Sequence, residues 1–202
     1  MPSPVRPRDA ATLVAWRRGR AAVEVLMGRR AARHRFVPHH YVFPGGRVDR
    51  ADHAVTPLSP LKSEVLRRLC ASCPPSLARA LAVAAVRETW EETGLVLGAV
   101  SGGTLQPDLQ HLDYALRAIT PPQSPMRFHA RFFFVDGEKL AGTIEGNGEL
   151  LDLAWRSVAE CLRLPIVDVT EYVLRKLDAG QLPANGTEVP LFSFRNGKAL
   201  LA

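Results

Sequence analysis

Three cysteines in 202 residues are too few, and odd in number, to build a disulfide framework, so free thiols in a reducing compartment are expected. Cys70 and Cys73 form a C-x-x-C. No second Cys or His pair stands at a matching spacing, which excludes a four-ligand structural zinc site. Long apolar runs are missing too: none reaches a membrane span, and no signal-peptide core follows Met1. Aromatics are only 7% of residues and few interleave with the arginines, so a base-stacking nucleic-acid surface is not expected. The C-terminal Lys198-Ala-Leu-Leu-Ala202 is no peroxisomal address, and a cytoplasmic location is the expectation.

What is present is ordinary globular composition, 47% apolar and 23% charged, at a length that suits one domain with a substantial core. Residues 1–9 carry three prolines and read as a flexible tail. The formal charge is +6, and part of the excess gathers at Arg29, Arg30, Arg33, His34 and Arg35. A basic loop of this kind suits a small polyanion.

The most unusual stretch is Arg87-Glu88-Thr89-Trp90-Glu91-Glu92-Thr93-Gly94-Leu95. At 3.6 residues per turn, Glu88, Glu91 and Glu92 share one helix face at i, i+3 and i+4, where like charges repel by a few tenths of a kcal/mol per pair. A hard divalent cation gives a reason for that arrangement, because Mg²⁺ or Mn²⁺ binds through carboxylates and substrate phosphates. Upstream, Tyr41-Val42-Phe43 runs into Pro44-Gly45-Gly46-Arg47-Val48-Asp49. The glycine pair lets the backbone turn sharply and expose a carbonyl to an ion.

With these residues the chain resembles the Nudix hydrolases, whose signature is G-x5-E-x7-R-E-U-x-E-E-x-G-U, U being bulky and apolar. Gly46 fits the leading glycine, and Arg87, Glu88, Glu91, Glu92, Gly94 and Leu95 fit the second half, with Thr89 at the first U. Asp52 stands where the signature has glutamate, and 34 residues rather than seven separate it from Arg87. Such an interrupted box is similar to the subset that includes a peroxisomal coenzyme A diphosphatase. The resemblance implies an α/β sandwich with a mixed central sheet and a helical insertion, residues 53–75, inside the box.

It also implies Glu88, Glu91 and Glu92 as metal ligands together with the backbone at Gly46, and Arg87 as the clamp that holds a carboxylate. Glu88 is either a further ligand or the base. Glu149, after Glu145-Gly-Asn-Gly148, is a candidate base from a later loop, with Asp152 behind it. The implied reaction is hydrolysis of a diphosphate linkage in a nucleoside diphosphate derivative, coenzyme A or acyl-CoA among them. A nucleotide sugar or dinucleotide is the alternative, and a ligand-sensing or RNA-associated module without hydrolysis is a different class. An upstream coenzyme A-type motif is only partly present, with Leu26 and Arg29 matching, Met27 at the Thr and Arg30 replacing the Ser. No nucleic-acid or membrane partner is expected, and a homodimer is compatible with the sequence.

Thr12–Trp16 and Ala22–Met27 read as paired strands, and Ser59-Pro60 as the start of a helix through Leu69 that Pro74-Pro75 stops. Ser76 is the expected N-cap of a helix ending at Gly94, with Val83, Val86 and Trp90 opposite the glutamates. Leu95–Val100, Arg127–Val135 and Glu149–Trp155 read as strands. Ser157-Val-Ala-Glu160 has capping-box spacing, and Asp168–Ala179 reads as a helix stopped by Gly180. In the Arg127–Val135 strand, alternation puts Phe128, Ala130, Phe132 and Phe134 on a core face. Arg127, His129 and Arg131 then share an open face. Arg29, Arg30, Arg127 and Arg131 are therefore the expected substrate-binding arginines, converging from two segments on a phosphate.

Overall fold

Residues 10–15 alternate too little to be half-exposed, and they form the middle of the longest strand, β1 (Arg8–Arg18), buried on both faces. In this computed structural model, which describes residues 5–34, 36–182, 188–195 and 198–202, β1 organises the sheet. Its first half pairs antiparallel with β4 (Gly45–Arg47) and its last residues pair antiparallel with β2 (Val23–Arg30). Along its other edge it runs parallel to β8 (Phe128–Asp136). The nine-stranded mixed sheet adds β3 (Tyr41–Val42), β7 (Asp113–Ile119), β9 (Leu150–Ser157), β10 (Leu191–Arg195) and β11 (Lys198–Leu201). Its order is β11-β10-β7-β8-β1-β2-β3, with β4 on β1 and β9 on β2.

Both faces are covered. Ala11, Leu13, Ala15, Phe133 and Val135 meet α1 (Ser63–Cys70) and α2 (Pro75–Thr93) on one side. Val14, Met27, Phe132 and Phe134 meet α3 (Val158–Cys161) and α4 (Asp168–Asp178) on the other. The outcome is a sandwich of helix, mixed sheet and helix. A separate two-stranded ribbon joins β5 (Gly98–Ser101) to β6 (Thr104–Pro107).

The helix that carries the glutamates is held at both ends. Pro75 occupies its first position, where the missing N–H costs nothing and φ is already helical, so Ser76 lies inside the helix and Pro74 takes the cap position. Gly94, at φ 76°, ends it in a left-handed turn and donates to the carbonyl of Trp90. The capping box at Ser157 and Glu160 forms as its spacing predicts.

Several expectations need correction. The tail is shorter than residues 1–9, because Arg8 and Asp9 already belong to β1; residues 1–4 and Arg35 lie outside the described residues. The first helix starts at Ser63 rather than Ser59, and a 3₁₀ turn over Arg50–His53 precedes it. Within the excursion Leu61, Val65 and Leu69 are buried against α2 and the sheet. Cys70, Cys73 and Cys161 are free thiols.

The largest correction concerns β8. Lying between β1 and β7, with helices over both faces, it is buried on both sides from Arg131 to Val135. Arg131 is only 2% exposed, and its Nη1 donates to Asp9 at 2.6 Å and to the His129 carbonyl at 2.7 Å. Arg127 donates to the backbone carbonyls of Thr120 and Val5. Neither guanidinium stands free on a strand face, and the face that was expected to bind substrate is packed.

Candidate active site

The glutamates of α2 are set under the glycine turn by close backbone approach. At Gly45, with φ 155°, an added Cβ would lie 2.4 Å from the Ala11 carbonyl. At Gly46 it would lie 2.4 Å from the Glu88 carboxylate. Only a residue without a side chain lets Glu88 reach that backbone. The Gly45 N–H donates to Glu92 Oε2 at 2.9 Å, so the turn and the helix are joined directly.

Arg87 lies along the other flank. Its Nε and Nη2 donate to the two oxygens of Asp52 at 2.8 and 3.1 Å, a planar two-point contact. The same guanidinium donates to Glu88 at 3.0 Å, Glu91 at 2.9 Å and the Arg47 carbonyl at 3.1 Å. Burial works against its charge, yet the hydrogen bond to Asp52 and the fields of Glu88 and Glu91 leave its pKa raised overall. Asp52 is 2% exposed and also accepts from the Asp49 N–H at 2.7 Å. Its standing at the box position of a glutamate was the available signal that it is Arg87's buried partner.

Two of the three glutamates are short of positive charge. Burial raises the Glu88 pKa, with Arg87 only partly offsetting it. Burial, opposed by the Gly45 N–H but reinforced by Glu88, pushes Glu92 up to about 8. Glu91 is the most exposed of the three, with 45% of its side chain open.

The chain after the helix brings further residues to the same place. Glu145 N–H donates to the Thr93 carbonyl at 2.8 Å, and Val96 and Ala141 pair, so the following loop folds back on the end of α2. The turn through Gly148, at φ 85°, then delivers Glu149 within electrostatic reach of Glu92. Arg30, at the end of β2, feels Glu92, Glu149 and Glu88.

Neighbours along a strand point to opposite faces, and Arg29 and Arg30 are divided in this way. Arg30 lies with the glutamates, whereas Arg29 acts on Tyr41 and Asp152. Asp152, at φ 52°, accepts from the Tyr41 hydroxyl and pairs with Arg156 at 2.8 Å. It does not stand behind Glu149. Of the ten expected site residues, the structure gathers Gly46, Arg87, Glu88, Glu91, Glu92, Arg30 and Glu149, and places Arg29, Arg127 and Arg131 in other surroundings.

No protein-family model matches the chain, and no curated protein matches it. Solved structures do. A NUDIX hydrolase from Alicyclobacillus acidocaldarius is 29% identical, with 87% of this chain and 92% of that chain covered at a TM-score of 0.67. The fold is that of the Nudix hydrolases. A MutT NUDIX hydrolase from Burkholderia pseudomallei, 16% identical, covers 86% of this chain and 99% of its own at a TM-score of 0.53. The NUDIX domain of Shewanella oneidensis NrtR, solved with ADP ribose, is 13% identical at a TM-score of 0.50, with 87% and 89% covered. The Nudix-hydrolase likeness and the kept box support a hydrolase acting on phosphoanhydride bonds.

Do the carboxylates of this site fit a divalent cation? Among the described residues no three His, Cys, Asp or Glu groups stand together as a ready-made cluster that could hold a metal ion. A structural zinc site would need one, but Mg²⁺ would not, since it keeps several waters and takes one or two carboxylates plus substrate phosphate. The donors are all hard oxygens, and two carboxylates, buried Glu92 and half-buried Glu88, lack full compensation. That donor set fits a Mg²⁺-like ion.

Proposed function

We propose that this chain is a metal-dependent hydrolase of the diphosphate linkage in nucleoside diphosphate derivatives. The single observation that carries the reading is the pair of incompletely compensated carboxylates, buried Glu92 and half-buried Glu88, set against the Gly45–Gly46 backbone with Glu149 nearby. A Mg²⁺ or Mn²⁺ ion held by Glu91 and Glu92 with the backbone at Gly46, Glu88 being either a further ligand or the base, would neutralise the diphosphate and polarise a phosphoryl oxygen.

The side chains supply the rest. Arg87, locked on Asp52, fixes Glu88 and Glu91 in place and need not touch substrate. Arg30 brings a guanidinium into an otherwise anionic site, where it can donate to a phosphoryl oxygen. Glu149, on a separate loop, is our candidate to take the proton of the attacking water, with Glu88 as the competing base.

Coenzyme A or an acyl-CoA is the finer reading suggested by the interrupted box. Arg127 and Arg131, expected to meet a phosphate, are engaged internally, which keeps the nucleotide sugar or dinucleotide as the second reading. A panel of coenzyme A, ADP-ribose, nucleotide sugars and dinucleoside polyphosphates, with Mg²⁺ or Mn²⁺ and product mass spectrometry, tests both. Cleavage between the phosphates supports the proposal; no cleavage of any member under either metal rejects it.

A further inference from the structure

The loop between β2 and β3 contains a histidine with two polar contacts that together fix its protonation. His34 Nδ1 lies 2.8 Å from Arg30 Nη2, and its Nε2 lies 3.1 Å from the Glu149 carbonyl oxygen. A guanidinium only donates, so Nδ1 must accept. A carbonyl only accepts, so Nε2 must carry the hydrogen. Both contacts form only with the neutral Nε2–H ring. The Glu149 carbonyl takes a second hydrogen bond from the Ala31 N–H at 3.1 Å, and the His34 N–H returns to the Ala31 carbonyl at 3.1 Å. One ring therefore joins the end of β2 to the turn that carries Glu149.

Arg30 is the residue this arrangement acts on. Its Nη2 is taken by His34, while its Nε is buried with no hydrogen-bond partner among the described residues. A buried donor without an acceptor is costly, so this Nε is available to an incoming acceptor. Nearby stand Glu88, Glu92 and Glu149, which attract the guanidinium but do not hydrogen-bond to it.

We infer that His34 is a positioning residue, which as a neutral ring orients Arg30 so that its Nε faces an incoming phosphoryl oxygen and holds the Glu149 turn in the same frame. The identity of that oxyanion rests on the function proposed above; the tautomer and the linkage do not.

The test has one arm independent of turnover. In ¹⁵N-histidine-labelled protein at pH 7.5, His34 should show a protonated Nε2 and an acceptor Nδ1. A protonated Nδ1 overturns the inference. In the second arm, binding of α,β-methylene-ADP and, where there is turnover, KM and kcat are measured for two variants. His34→Phe removes both contacts, and His34→Asn keeps an acceptor near Nδ1. We expect His34→Phe to weaken analogue binding and raise KM about tenfold, the scale of one charge-assisted hydrogen bond, with a smaller change in kcat. His34→Asn should recover most of the loss. In an Arg30→Ala background, His34→Phe should add less than about twofold, because its effect runs through Arg30. Additive losses, or wild-type binding in His34→Phe, overturn it. If His34→Phe does not fold, the labelling arm and His34→Asn still decide. An inactive wild type with the expected tautomer and binding loss would sink the proposed hydrolysis and leave this linkage standing; an active wild type indifferent to His34→Phe would do the reverse.

Discussion

Glu92 is the residue whose chemistry is most exposed to pH. Burial pushes it to about 8 in the folded chain, above the ordinary value of 4.5. Between those values the folded state keeps a proton that the unfolded chain has lost, so stability falls as pH rises through that window. Thermal melts of metal-free protein should therefore show Tm declining from pH 5 to pH 9, with a flatter profile in Glu92→Gln. Identical profiles would remove the charge shortage on which the metal reading depends. Arg87 makes a second claim at this scale. Arg87→Lys keeps the charge but cannot span both oxygens of Asp52, so turnover should drop at least about tenfold. Asp52→Ala should strand half of that fork and cost about 2–3 kcal/mol in urea unfolding. Equal stability in Asp52→Ala would show that Glu88 and Glu91 alone hold the guanidinium. The spacing of Glu88, Glu91 and Glu92 was legible because the helical period is a local property. Asp52 was not, because its burial is decided by a contact with Arg87 across the excursion.

At the level of elements, the apolar periodicity of α1 and the position of Gly94 as a stop could be read directly from sequence. The strand β8 could not. Alternation correctly separates its two faces, but whether the second face meets water depends on how many layers cover the sheet. Here α1 and α2 cover it, and Asp9 neutralises the arginine that would otherwise be stranded. The strands β7, β10 and β11 carried too weak a pattern to be picked out beforehand. Arg29 and Arg30 illustrate the same limit: sequence places them together, and the pleat of β2 sends them to opposite faces. The fit between α2 and the glycine turn gives a prediction of its own. Gly46→Ala would put a methyl 2.4 Å from the Glu88 carboxylate, so Glu88 must move. We expect at least about a tenfold loss of turnover, the cost of misplacing a reacting group, with a Tm shift of only a few degrees. Wild-type turnover in Gly46→Ala would mean that the close approach is unnecessary.

For the molecule as a whole, the sheet acts as a divider. The glutamates, Arg30 and Glu149 lie together at one end of α2, while Arg29, Tyr41 and Asp152 form a separate polar group. Fold class was legible because the box and the alternation of strands and helices agree with one another. Substrate was not, since the arginines chosen from sequence turned out to be divided between structural and site roles. The central claim is that Glu88, Glu91 and Glu92 support metal-dependent cleavage of a diphosphate. Its most direct test is the turnover of Glu92→Gln beside wild type, on the best substrate of the panel, with Mg²⁺ or Mn²⁺ and again with a chelator. The account predicts that the chelator abolishes wild-type turnover and that Glu92→Gln, folded and melting no lower than wild type at pH 8, loses at least about a hundredfold in kcat. Undiminished turnover in Glu92→Gln, or in wild type with the chelator present, would contradict it.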